Sequence, residues 1–361
     1  MILMRVRARG EEIRKYVLNH VEKHPRDITK FASEHFKITR QAVRKHLQRL
    51  VYEKSLEENG ETRQKVYKLA PLVQWQKTYQ ITPQLEEYLV WEQDIAPVLQ
   101  PLPENVMDIW HYGFTEMMNN AKDHSGGSDV FVTISKNAIN TEMMLNDNGI
   151  GIFKKIQEAF NLPDQRYAVL ELAKGKLTTD PNHHTGEGVF FSSRMFDRFS
   201  IGADQTWYGH KFGVDSDYIL GWKYSGTAVF MELCNHTARS EKAIFDQYSG
   251  TDGDYGFIKT VVPVELAQYG NDKLISRSQA KRVVDRLEAF KTIVFDFKGV
   301  STIGQAFADE IFRVFRNEHP EMSILYTNAN SEVKRMIERA KNNLAPIAPT
   351  PIALTEDKAS S

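Results

Sequence analysis

Along the chain the period of the hydrophobic positions changes several times, and each change marks a unit. In residues 11–24, Ile13, Val17 and Val21 recur every fourth residue with Tyr16 and Leu18 beside them, which predicts an amphipathic helix closed by Pro25. "DITKFASEHF" predicts a short second helix capped by Asp27 or Thr29. In "ITRQAVRKHLQRLVYEKS", Ala42, Val43, Leu47 and Leu50 form the inward face of a third helix, and Arg40, Gln41, Arg44, Lys45, Gln48 and Arg49 stay outside it. Two short strands around Asn59-Gly60 follow, a strong hairpin signal. Residues 71–104, rich in Gln, Leu and Pro, read as a connector with helical pieces.

A longer helix is predicted over residues 105–124, with Val106, Ile109, Trp110, Phe114, Met117, Met118 and Ala121 as its apolar stripe. Glu116 and Asn120 are four apart and share one face; Asp123 and His124 lie a turn further on. Two strands, "SDVFVTIS" and "TEMMLN", lead to "DNGIGI", where Gly149 and Gly151 permit close backbone approach beside the Asp147 carboxylate. A stretch rich in Gly, Lys, Thr and His (residues 174–187) runs into "TGEGVFFSSRMFD". There Gly186 and Gly188 precede a helix whose first amides could cradle a phosphate. "SGTAVFMEL" is a strand opening on Gly226-Thr227. From residue 257, the strands "FIKTVVPVEL", "KTIVFDF" and "MSILYT" alternate with amphipathic helices, the pattern of a small α/β layer ending near residue 343. Residues 345–361 are a Pro/Ala/Ser/Thr tail expected to be disordered.

Charge sharpens this division. Residues 1–70 hold 17 Lys+Arg against 9 Asp+Glu, a net +8; the whole chain carries −1, so the remainder carries −9. A basic head on an acidic body points to a polyanion as the partner of the head alone. The single cysteine, Cys234, excludes a disulfide framework and any multi-cysteine metal site, and points to a cytoplasmic location. No stretch approaches the ~20 apolar residues needed to span a bilayer, so no membrane partner is expected. "AKGKLTT" lacks the first glycine of a P-loop, and the adjacent His183 and His184 cannot easily face one ion.

Helix, short helix, basic helix, hairpin is an order that resembles the winged helix-turn-helix of bacterial transcription regulators. That resemblance implies that Arg40, Gln41, Arg44 and Lys45 meet base edges and phosphates, with Arg63 and Lys65 on the wing. Residues 105–235 resemble the GHKL (Bergerat) ATP-binding α/β sandwich, shared by DNA gyrase, heat-shock chaperones, histidine kinases and anti-sigma-factor serine kinases. By that resemblance Glu116 and Asn120 match the ExxxN box, Asp147, Gly149 and Gly151 the first glycine box, Gly186 and Gly188 the second, and Thr227 the strand closing the adenine pocket. It implies ATP and Mg²⁺ as cofactors, Asn120 as metal ligand and Glu116 as catalytic base. Asp123 and Lys174 join the nucleotide contacts, and residues 174–187 form a lid. Residues 257–343 resemble the STAS-like domain of anti-sigma-factor antagonists. Aligning Asp296 and Val300 puts Ala306 where the antagonists carry their phosphorylated serine, so docking of a protein partner or sensing of a ligand is expected instead.

The fold class expected is therefore multidomain α/β: a winged helix head (1–70), a connector (71–104), a GHKL sandwich (105–235) and a STAS-like domain (257–343). The function expected is a DNA-binding transcriptional regulator gated by ATP, with homodimerisation an open expectation. The alternatives are a serine/threonine kinase of the anti-sigma-factor type and a slow ATPase.

Overall fold

The structure is a computed structural model and describes residues 2–61, 64–178, 185–212, 216–220, 224–250, 256–268 and 273–342. It is mixed α/β, and the chain divides between Gly256 and Phe257 into two units.

The first unit begins with three helices, α1 (Ile2–His20), α2 (Ile28–Phe36) and α3 (Arg40–Tyr52), and an antiparallel hairpin, β1 (Leu56–Asn59) and β2 (Val66–Leu69). Thr39 caps α3, its hydroxyl accepting from the Ala42 amide at 3.2 Å. Ile13, Val17, Val21, Ile28, Val43, Leu47 and Leu50 close a core confined to this segment and completed by Leu56 and Tyr67 of the hairpin. The head thus has an apolar interior of its own.

The segment expected as a connector opens instead with a strand, β3 (Val73–Gln80), which pairs antiparallel with β4 (Asp129–Lys136) along its whole length. Val73, Trp75 and Tyr79 alternate with Gln74, Gln76, Thr78 and Gln80, a period of two set within a Gln-rich composition. Helical pieces do follow: α4 (Glu87–Val90) runs through a wide turn at Trp91–Ile95 into α5 (Ala96–Leu99). Then α6 (Glu104–His124) lays the predicted stripe, with Gly113 added, against the sheet. A Cβ at Gly113 would stand 2.5 Å from the Phe196 ring, so the helix approaches the layer behind it closely at that turn.

Among the described residues the sheet has seven antiparallel strands in the order β3-β4-β5-β9-β6-β7-β8, with β5 (Asn140–Asp147), β6 (Arg198–Asp204), β7 (Thr206–Lys211), β8 (Ser216–Leu220) and β9 (Tyr224–Cys234). Its inner face, with Val132, Leu145, Met231 and Ile201, is buried. Helices α6, α7 (Ile152–Ala159), α8 (Gln165–Lys174), α9 (Gly188–Met195) and α10 (Glu241–Tyr248) accompany it.

In the second unit a parallel sheet, β10 (Lys259–Pro263), β11 (Thr292–Asp296) and β12 (Ser323–Thr327), packs with α11 (Arg277–Val284), α12 (Gln305–Asp309), α13 (Arg316–Glu318) and α14 (Ser331–Asn342). Two elements are shorter than the periodicity predicts. The first strand stops at Pro263 and turns into a short 3-10 segment, and the helix after Ser276 breaks where Arg286 takes φ 59°. Ser276 and Gln279 form a reciprocal capping box at the start of α11. The tail at 345–361 lies outside the described residues.

Candidate functional site

Four separated segments converge on one cavity of about 260 Å³ in the first unit. From α6, Glu116, Asn120 and His124 enter on successive turns of one face, which is what their i,i+4 spacing requires. Asp147 comes from the end of β5, Gly186 and Gly188 from the start of α9, and Thr227 from β9. Apolar walls are supplied by Val130, Leu145, Ile156, Ile201 and Val229.

Asp147 is the best-fixed member. Its Oδ1 accepts from the Gly149 amide at 2.8 Å and from the Thr227 amide at 3.1 Å. The Thr227 hydroxyl in turn accepts from the Ile152 amide at 3.0 Å. Burial pushes the Asp147 carboxyl up, and the bonds from Gly149 and Thr227 oppose that rise. Two glycines make the packing possible. A Cβ on Gly149 would lie 2.2 Å from the Ser125 carbonyl oxygen, and one on Gly226, whose φ is +84°, 2.0 Å from that of Asp147. Gly149 and Gly151 therefore shape the turn rather than line the cavity.

The polar groups on α6 are held otherwise. Among the described residues neither the Glu116 carboxylate nor the Asn120 amide has a hydrogen-bond or ion-pair partner, although both are largely withdrawn from solvent. Burial, followed by the charge of Glu187, pushes the Glu116 carboxyl above its ordinary range; burial also raises Glu187. Gly188 is what lets Glu116 reach the start of α9, since a Cβ there would sit 1.9 Å from Glu116 Oε2. Two half-buried polar side chains with unspent capacity, facing one cavity, are what a site awaiting a ligand presents.

Not every expected residue arrives. Lys174 is buried at the end of α8 with its Nζ 2.7 Å from Glu171 Oε1, and it does not line the cavity. Asp123 is exposed and also stays off the lining. Of the expected lid, residues 179–184, with His183 and His184, lie outside the described residues; Leu177, Thr178 and Thr185 border the cavity on either side of them. Lys155, absent from the sequence-based set, does line the cavity, as do Ser125 and His124. The signal for Lys155 was its place one helical turn after the glycine turn.

On the head, Arg40, Gln41, Arg44 and Lys45 are all exposed on α3, on the side away from Val43, Leu47 and Leu50. Lys65 is paired with Glu58 across the hairpin, which reduces its freedom to meet another anion. Arg63 lies outside the described residues. Among the described residues no three His, Cys, Asp or Glu side chains cluster as a metal cage, and no helix is long and apolar enough to cross a membrane.

Residues 279–334 match the family model of a STAS-like domain of unknown function (DUF4325), so a STAS-like domain lies in the C-terminal unit. No curated protein and no solved structure matches the chain significantly.

Proposed function

We propose that this chain is an ATP-binding regulator, with a GHKL-type site in the large cavity, a winged helix head that binds duplex DNA, and a STAS-like domain that docks a protein partner. The observation that carries the reading is the cavity itself. Glu116, Asn120, Asp147, Gly186, Gly188 and Thr227 come from four separate segments, and all six line it. When bound, ATP with Mg²⁺ supplies the transferable phosphoryl group.

The chain's own residues divide the work. Asp147, fixed by two main-chain amides, accepts a hydrogen bond from an exocyclic amine of the base. Asn120 offers a hard amide oxygen suited to Mg²⁺. Phosphate oxygens and water would supply the remaining ligands. Glu116, its proton affinity raised by burial, is suited to take the proton of an attacking water or hydroxyl. Ala306 stands one residue inside α12, where the antagonists of the STAS family carry serine, so a phospho-acceptor on this domain is not part of the proposal.

Asp147→Asn tests the site. It replaces a charged acceptor, so affinity for Mg²⁺-ATP is expected to fall by roughly 1.5–3 kcal/mol in calorimetric titration. Binding at the wild-type level refutes the base assignment. Glu116 keeps a second reading alive, that of a serine/threonine kinase or slow ATPase. Incubation with γ-labelled ATP decides between free phosphate, labelled protein and neither.

A further inference from the structure

Among the described residues that line the cavity is a cation without a role in the proposed function. Lys155 stands in the first turns of α7, lines the cavity and is partly buried. Its Nζ donates one hydrogen bond, 2.7 Å, to the carbonyl oxygen of His124, the last residue of α6. Among the described residues it makes no ion pair, and the charge of Asp123 acts on it through space. An ammonium has three donors and no acceptor, so two donors are left over for whatever occupies the cavity. A partly desolvated cation in that state gains most from an anion.

Helix α6 shows which anion can reach it. Glu116, Asn120 and His124 enter the cavity from successive turns. At about 1.5 Å rise per residue, Glu116 and His124 are about 12 Å apart along the axis. The Glu116 end abuts the second glycine turn, and the terminal phosphate belongs there. Lys155 holds the opposite end, at His124, next to Ser125, against which the Asp147 turn is packed. A nucleotide carries its negative charge on phosphates alone. With the base on Asp147 and the metal on Asn120, the phosphate left for this end is the one joined to the sugar.

We propose that Lys155 binds the α-phosphate, so that the site selects nucleoside 5′-phosphates, down to the monophosphate, over the free nucleoside. The proposal rests on the nucleotide reading of the cavity. Its rival is a purely structural one, in which Lys155 only complements the C-terminal end of α6. That role affects melting temperature and is indifferent to how many phosphates a ligand carries.

The test uses the full chain with ATP, ADP, AMP and adenosine, each with Mg²⁺, followed by calorimetry. In the wild type, AMP is expected to bind about tenfold or more tighter than adenosine; equal affinities overturn the proposal before any variant is made. Lys155→Met is expected to weaken ATP, ADP and AMP by a similar factor, about tenfold or more, and to leave adenosine unchanged. Loss confined to ATP places the lysine at the terminal phosphate, and equal loss for adenosine places it on sugar or base; either result overturns the assignment. Lys155→Gln repeats the comparison should the Met variant not fold. Asp147→Asn separates the two layers of the argument. If it weakens all four ligands while Lys155→Met changes none, the cavity is a nucleotide site and Lys155 is structural. If the wild-type chain binds none of the four, the nucleotide reading itself fails.

Discussion

At the scale of single residues, Glu116 carries the most information, because its surroundings penalise its charged form. Burial and then Glu187 hold its carboxyl above the ordinary range. A carboxyl raised in the folded state favours folding in its protonated form. That contribution is complete below the ordinary glutamate value and is lost as pH rises through the raised one. Glu116→Gln mimics the protonated form, so it is expected to raise the melting temperature of the nucleotide-free protein at about pH 7.5, with the gain vanishing toward about pH 4. The same variant is expected to slow any phosphoryl turnover by ~10²–10⁴. Thermal melts at the two pH values check the first part; no gain at the higher pH removes the buried-charge description. Glu116 and Asn120 were legible in the sequence because four-residue spacing on a helix fixes a shared face. Lys174 was misplaced because the composition around it looked like a loop. It is the last residue of α8, and "ELAK" sets it three residues from Glu171, the partner it meets.

At the scale of elements, strongly periodic helices were read closely and short or interrupted ones were not. The α6 stripe and the inward face of α3 needed nothing beyond the sequence. By contrast, α1 starts at Ile2, well before the predicted helix, and ends at His20, and Asp27 stands at the start of α2 without a side-chain cap bond. Strand β3 escaped because Lys77 breaks its apolar side and Gln dominates its other side; Lys77 instead reaches Asp94 at 2.6 Å. Strands β6 and β7 escaped because Gly202, Ala203 and Gly209 dilute their β character. The head, with its core confined to residues 13–67, is the element that can be tested alone. Residues 1–70 are expected to bind duplex DNA with an affinity that falls steeply as salt rises, since each phosphate contact releases counterions. Arg44→Ala with Lys45→Ala, both exposed on α3, is expected to weaken binding and flatten that salt slope. Gel-shift titrations at two salt concentrations measure it. A head that binds no DNA at either would make the same face a protein-binding surface.

At the scale of the molecule, the question is whether the cavity and the head communicate, and the chain between them offers a short physical route. Only Ala70–Leu72 separates β2 of the head from β3 of the sheet. Both ends of that link are pinned: the Ala70 amide donates to the Ser55 carbonyl within the head, and the Leu72 amide to the Lys136 carbonyl on β4. Beyond it, β3 pairs with β4 and β4 with β5, which ends at Asp147 in the cavity. A ligand that shifts the end of β5 therefore acts on a strand two places from the one that carries the head. This is a route, and coupling needs in addition that ATP bind two arrangements with unequal affinity. If it does, a non-hydrolysable ATP analogue is expected to change DNA affinity of the full chain by a coupling of ~1–3 kcal/mol, and DNA to change affinity for the analogue by the same factor. Lengthening the Ala70–Leu72 link with glycines is expected to reduce both effects together while leaving each affinity, measured alone, near its original value. Equal DNA affinity with and without analogue, at a concentration that saturates the cavity, would leave the site in place and show that it does not gate this head.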